Sequence, residues 1–370
     1  MIRSYPLHSL EEGSWFKLIC GASYQHLPAI RSLAMAYSLA GADCIDVAAD
    51  PAVIIAAQEG IRAARKELSR ASLPDNSPWL MVSVNDGEDP HFRKARFEVT
   101  QCPTDCLQPC VKVCPADAID LSFGGVIDSL CYGCGRCEPI CPQSLVTTHS
   151  HRSCLPEVIP LITSLGVDAI EIHTQVGHYA DFKLVWRDIL PIIGELKLLA
   201  ISCTDAPNVI EYLRSLYELI SPLPCPLIWQ TDGRSMSGDI GKGTTHAAIA
   251  FAQKVLQGQL PGYIQLAGGT NNYTVSKLKQ ENMLRRSDHP ASSKVVSGLA
   301  YGSYARGILS PTIAQLETAL QSTSNQSIDQ SIKYRPMNQP NLKLEQNQEL
   351  LEQAVGTAKE LVNQIKTANG

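Results

Sequence analysis

Residues 198–231 read LLAISCTDAPNVIEYLRSLYELISPLPCPLIWQT, two short apolar runs around one helical pattern. LLAISC (198–203) and PLIWQT (226–231) are continuously apolar rather than alternating, as strands covered on both faces must be. Between them, Pro207–Leu219 repeats its apolar residues at helical spacing. Strand, helix and strand of this kind form a βαβ unit, whose two strands run parallel. The same rhythm extends outward in both directions, through FKLICGA (16–22), ADCIDVAA (42–49), WLMVSV (79–84), AIEIHT (169–174), YIQLAGG (263–269) and VSGLAYG (296–302). Helical stretches lie between them at Leu27–Ala40, Pro51–Leu68, Leu155–Leu165 and Thr245–Gln257. Pro51 at a first turn and Gly41 after a last one punctuate them as helix ends usually are. Eight buried strands separated by helices is the count of a (β/α)8 barrel, a TIM-like α/β fold. A doubly wound open sheet competes, because strand order is invisible in sequence; the count of eight favours the barrel.

Composition agrees with one large core. The chain has 370 residues, 44% of them apolar and 18% charged, with 31 basic against 36 acidic side chains. That balance excludes fibrous and wholly disordered chains. A formal charge of −5 also argues against nucleic acid as a partner, which calls for a basic field. MIRSYPLHSLEEGSW at the start contains no apolar signal core, and no uncharged run is long enough to span a bilayer. These features lead to the expectation of a cytoplasmic protein.

One interval breaks the rhythm. From residue 86 to 151 the chain is rich in Cys, Pro and Asp, and eight of its thirteen cysteines fall between Cys102 and Cys141. Disulfides are unexpected in a long chain with no export signal, so the cluster points to metal. The expected organisation is a first barrel part (1–85), an inserted module (86–151), a second barrel part (152–320), a polar linker (321–341) and a C-terminal amphipathic helix (342–370). In that helix Leu344, Leu351, Ala354, Val355, Ala358, Leu361, Val362 and Ile365 recur at helical spacing; docking on the barrel itself is favoured over a dimer or partner contact.

Cys131-x2-Cys134-x2-Cys137-x3-Cys141-Pro142 matches the bacterial ferredoxin run, in which three thiolates converge on one cluster and the fourth ligates another. Zinc is the competing reading of Cys-x2-Cys pairs, but the order ending in Cys-Pro favours iron–sulfur. Upstream, Cys102-x3-Cys106-x3-Cys110-x3-Cys114-Pro115 is a stretched version of the same run. Exchange of the fourth ligand gives one cluster to Cys131, Cys134, Cys137 and Cys114. By symmetry the other takes Cys102, Cys106, Cys110 and Cys141. Two [4Fe–4S] clusters are expected, with a three-iron second cluster left open by the longer gaps. Ala118-Ile119 and Gly124–Ile127 suggest a short hairpin covering the first. The remaining thiols, Cys20, Cys44, Cys154, Cys203 and Cys225, carry no assigned role.

In a barrel, chemistry sits where strands end. The seventh strand ends in Gly268-Gly269-Thr270 and the eighth in Gly302-Ser303, followed by Arg306. Loops seven and eight commonly bind phosphate, so these residues are candidates for FMN or another phosphate-bearing ligand, with inherited tight turns as the competing reading. Asp50, Asn85, His173, Gln175, His178, Asp205, Asp232 and Arg234 are expected at the same rim. Gly238–Thr245 is glycine-rich but is not a P-loop, because Gly243 follows Lys242. No complete catalytic constellation is evident.

The stretched run, followed by FGGVIDSLCYGCGRCEPICP and preceded by PWLMVSVNDGEDPHFRKARF, resembles the cyanobacterial light-dependent period family, iron–sulfur proteins of the circadian input pathway. The resemblance covers most of the chain. It implies a protein that senses cellular redox state as a proxy for light and acts through clock-associated histidine kinases and their partners. The alternative from a different class is a reductase, taking electrons from a soluble donor through the clusters to a flavin or bound substrate at the barrel mouth.

Overall fold

Eight parallel strands close on themselves: β1 (Trp15–Gly21), β2 (Cys44–Ala48), β3 (Trp79–Asn85), β4 (Ala169–Thr174), β5 (Leu198–Thr204), β6 (Leu227–Asp232), β7 (Tyr263–Ala267) and β8 (Gly298–Tyr301). The computed structural model describes residues 6–73, 77–152, 154–233, 243–285, 295–323 and 343–368. Each strand pairs with its sequence neighbours, and β8 returns to β1, where Phe16 lies opposite Leu299. The open-sheet alternative is thereby excluded. Strand limits differ from the sequence reading by at most two residues. At β7 the difference has a cause: Gly268 and Gly269 take φ of 63° and 104° and turn the chain out of the ladder.

Side chains alternate across each strand. Ile170 and Ile172 of β4 face outward into the main core beneath the helices. The inward positions form layers. Trp15, Cys44, Trp79, Met81, Ala169, Leu198, Ala200 and Ile228 make an apolar plug at the bottom, where Trp15 and Trp79 meet edge to face at 5.8 Å. Above the plug the inward side chains turn polar: Lys17, Asp46, Ser83, Glu171, Ser202, Gln230 and Gln265, all nearly inaccessible.

The C-terminal helix Gln348–Lys366 lies on the barrel's own helices Leu27–Ala40 and Ser303–Thr323. It buries Leu350, Leu351, Ala354, Ala358, Leu361, Val362 and Ile365 there. Lys366 pairs with buried Asp43, and Arg31 grips Glu345 at 2.9 Å. The helix Ser303–Thr323 carries three residues expected in the linker; linker residues 324–341 lie outside the described residues. Among the described residues no helix is long and apolar enough to cross a membrane.

Between β3 and β4 the chain leaves the barrel into the cysteine-rich insert. Arg93–Arg96 and Thr147–Ser150 pair antiparallel, Arg93 opposite Ser150, so the outgoing and returning chains lie side by side. A second small ladder joins Ile119–Asp120 to Gly125–Val126, the hairpin expected there. The insert has a small apolar core, Ala95, Phe97, Ala118, Ile119 and Val146, packed around Cys110, Cys131 and Cys137. Its apolar side chains thus contribute alongside the thiols.

Candidate metal centre and barrel mouth

Cys114, Cys131, Cys134 and Cys137 line one cavity, closed by Ala95, Ala118 and Ile119. Backbone amides point at the sulfurs: Ala95 N–H donates to Cys131 Sγ at 3.4 Å and Ala118 N–H to Cys114 Sγ at 3.2 Å. Gly133 shapes the loop between Cys131 and Cys134. Its φ is +71°, and a Cβ there would lie 2.1 Å from the Arg93 carbonyl oxygen, so only glycine lets the loop lie against the Arg93–Arg96 strand.

The other four thiols gather separately. The Cys102 thiol is pushed up by desolvation, by its hydrogen bond to Cys106 and by the charges of Cys106, Cys110 and Cys141. Cys106 Sγ accepts the Gln108 N–H at 3.4 Å. Cys141 behaves differently. Desolvation would raise its thiol, but the amides of Val146, Leu145, Gln143 and Ser144 outweigh it and hold the group below its ordinary value.

Burial pushes the Cys137 thiol up to about 12, with the neighbouring Cys134, Cys131 and Cys114 adding to the effect. Thiols this close cannot all ionise in low dielectric without a cation among them. A thiophilic metal supplies that charge and expels the protons. The donor set therefore fits a sulfur-ligated metal centre.

The barrel mouth holds a second pocket. Asp46, Ser83, Glu171, His173, Gln230 and Asp232 form its floor. Gly268, Gly269, Thr270, Gly302 and Ser303, the five phosphate candidates, stand together in its wall beside Arg306. A Cβ on Gly269 would approach the Thr244 carbonyl to 2.8 Å, so the bare backbone is required. The insert contributes His91 and Tyr132. Tyr132 lines the thiol cavity as well, and the Arg306 guanidinium lies 4.4 Å from its ring centroid. Arg306 donates to the carbonyls of Ile19 and Cys20 at 2.9 and 3.0 Å and to Ser303 Oγ at 3.1 Å, while its buried Nε has no hydrogen-bond partner among the described residues.

Lys17 is held between Glu171 and Asp46, 3.4 Å from the latter. Burial lowers the Lys17 pKa, but the two carboxylates outweigh it and raise the group above its ordinary value. Glu171 is driven low by Lys17 and His173 against its own burial, whereas burial lifts Asp46 to about 6. One lysine cannot fully satisfy two buried carboxylates, and the difference falls on Asp46.

Of the residues expected at the rim, His173 and Asp232 reach the pocket. The others that are described do structural work. Asp50 caps the helix starting at Pro51, Asn85 donates to the carbonyls of Gly87 and His151, and Asp205 pairs with Lys254. His178 holds Asp86 at 2.9 Å with Gln175 beside it. Arg234 and residues 238–242 lie outside the described residues. Sequence reading missed Lys17, Asp46, Glu171 and Gln230, single polar residues inside apolar strands. It also missed Asp89 and His91, which lack a motif. The usable signal was the polar residue at every second position in IEIHT and IWQTD.

Fold and site together define a parallel barrel with a polycysteine metal-binding insert. The family model described as the LdpA Fe-S cluster-binding domain matches residues 102–152, and the Light dependent period A C-terminal domain matches residues 161–364. Light dependent period A of Synechococcus elongatus is 47% identical over 370 residues, covering 100% of this chain and 96% of the relative. The chain belongs to the light dependent period A family and is an iron–sulfur protein. Solved structures with similar outlines include the 4-hydroxy-tetrahydrodipicolinate synthase of Methylacidiphilum fumariolicum SolV, at 9% identity, TM-score 0.37 and coverage of 96% of this chain and 99% of that one. N-acetylneuraminate lyase of Fusobacterium nucleatum complexed with pyruvate matches at 10% identity and TM-score 0.34, covering 95% and 98%. The closed barrel rests on its own hydrogen-bond ladders, and no chemistry transfers from these likenesses.

Proposed function

We propose that this chain is a redox sensor that conveys cellular redox state, and through it light intensity, to the circadian clock. In this reading Cys131, Cys134, Cys137 and Cys114 hold one [4Fe–4S] cluster. Cys102, Cys106, Cys110 and Cys141 hold a second, of four or three irons. The observation that carries the reading is the sharing of Tyr132 between the thiol cavity and the barrel mouth. Bound clusters would supply one-electron couples within a class range of roughly −700 to +450 mV. Asp105, Asp117, Asp120, Asp128 and Glu138 outnumber Lys112 and Arg136 around the cysteines, which favours low potentials. Tyr132 and Arg306 are placed to feel a change of charge among the thiolates and to alter how the insert sits on the mouth. That shift would bias a surface read by clock-associated histidine kinases, the partners the family resemblance implies. Cytoplasmic location accompanies this role.

The Cys134→Ser variant tests the proposal. It is expected to abolish the response of clock period to redox-active quinone analogues; an unchanged response would refute cluster-based sensing. A second reading is favoured by the gathering of Gly268, Gly269, Thr270, Gly302 and Ser303 in one pocket beside Tyr132. There the protein is a reductase, fed by a soluble donor, with FMN or a phosphate-bearing substrate at the mouth. Heat release of FMN from anaerobically purified protein supports this second reading; its absence leaves the sensor.

A further inference from the structure

The strands that carry the insert out of the barrel bring three donor groups to one spot. Asp89 and His91 follow β3 on the outgoing chain, and His173 stands on β4. One ligand atom from each lies within 4.8 Å of the others. His91 Nδ1 is 2.9 Å from Asp89 Oδ1, and His173 Nδ1 is 3.6 Å from Asp89 Oδ2. Donor atoms at about 2.1 Å from a shared ion, at angles between octahedral and tetrahedral, stand about 3.0–3.4 Å apart. The two observed separations, each to a different oxygen of Asp89, lie within about 0.2 Å of that range.

Three further features support an ion there. First, His173 has its other ring nitrogen, Nε2, 2.9 Å from Glu171 Oε1, the carboxylate–histidine arrangement that orients a metal-binding imidazole and leaves Nδ1 facing the site. Second, His91 and His173 both line the mouth pocket, which provides open coordination positions. Third, cations are scarce. The carboxylates around the floor are Asp46, Asp89, Glu171 and Asp232; Lys17 is shared by Asp46 and Glu171, and the Nη atoms of Arg306 donate to the Ile19 and Cys20 carbonyls and to Ser303 rather than to a carboxylate. Among the described residues, the positive partners of Asp89 and Asp232 are the histidines His91 and His173.

We infer that Asp89, His91 and His173 form a mononuclear site for a divalent first-row metal ion of the Fe²⁺ or Mn²⁺ class, separate from the thiol centres, with coordination positions open to the barrel mouth. Two histidines and one carboxylate with open positions select such ions over thiophilic ones. Because the insert supplies two ligands and the barrel the third, the ion fastens one to the other. The inference stands whether or not the clusters sense redox state.

The test uses full-length, cluster-loaded protein kept anaerobic and freed of loose divalent ions by a chelator. Manganese chloride is titrated while the EPR signal of free aqua Mn²⁺ is followed. One bound equivalent is expected, weakened at least tenfold in Asp89→Asn, His91→Ala and His173→Ala and unchanged in Cys154→Ser, a thiol outside both cysteine groups. Mn²⁺ is also expected to raise the melting temperature of the wild type and not of His91→Ala. Should a histidine-to-alanine variant lose visible cluster absorbance, the His91→Gln variant, closer in volume, replaces it. No bound equivalent, or one whose affinity survives both Asp89→Asn and the His91 substitution, overturns the site.

Discussion

The guanidinium of Arg306, on the helix after β8, lies over the ring of Tyr132, between the cysteines 131 and 134 of the insert, at 4.4 Å. The two residues are far apart in sequence, yet this contact joins the metal-binding insert to the barrel mouth. A cation–π contact of this kind contributes about 0.5–2 kcal/mol. Tyr132→Leu is expected to raise proteolytic cleavage within residues 102–141 several-fold while cleavage of the barrel stays unchanged. Equal rates in variant and wild type would show that other contacts hold the insert.

The two groups of thiols predict divisible metal content. Cys134→Ala and Cys106→Ala should each remove about half of the bound iron and sulfide, and the double variant should remove nearly all. Iron and sulfide analysis of anaerobic protein measures this directly. Complete loss in either single variant would mean that the eight thiols hold one centre.

Lys17 lies at the middle of the barrel with Glu171 and Asp46 against it. Lys17→Met would leave two buried carboxylates facing each other. Removing one partner of a buried pair costs about 3–5 kcal/mol, so a large drop in the urea midpoint is expected. A change below about 1 kcal/mol would mean that the carboxylates are satisfied without Lys17.

Asp46 gives a pH dependence of definite sign. Its folded pKa of about 6 exceeds the ordinary 3.8 because burial and the Glu171 charge outweigh Lys17 and Ser83. The folded state therefore binds this proton more tightly than the unfolded chain does. Its contribution to stability falls as pH rises from about 4 to about 6 and is level above, by about 3 kcal/mol in total. Asp46→Asn should flatten this component, seen as a wild-type-minus-variant stability difference that changes across pH 4–6. A difference constant with pH would contradict it.

At the far end of the chain, Lys366 pairs with Asp43, whose carboxylate also accepts the Phe16 amide of β1 at 2.8 Å. Lys366→Ala should cost about 1–3 kcal/mol by leaving a buried carboxylate short of a partner. Thermal unfolding of the full chain measures the loss.

Much of this architecture was legible in the sequence because the strands are apolar on both faces. LLAISC and PLIWQT need no partner information to read as buried, and their number implied closure. The helix limits at Leu27–Ala40, Leu155–Leu165 and Thr245–Gln257 coincide with the sequence reading, since Pro and Gly mark several of these ends. The cysteine spacing was equally plain. What stayed hidden was the barrel interior. Lys17, Glu171 and Gln230 come from three strands, and only closure brings them together. Asp89 and His91 look like turn residues until β4 places His173 beside them. Conversely, Asp50, His178 and Asp205 lie near strand ends but are occupied by a cap or a salt bridge.

The antiparallel pair Arg93–Arg96 and Thr147–Ser150 gives the insert a two-stranded stalk, with its entrance and exit on neighbouring barrel strands. A module attached in this way interrupts the cylinder at one seam only. Replacing everything above the stalk with a two-residue hairpin turn should leave the cylinder able to close.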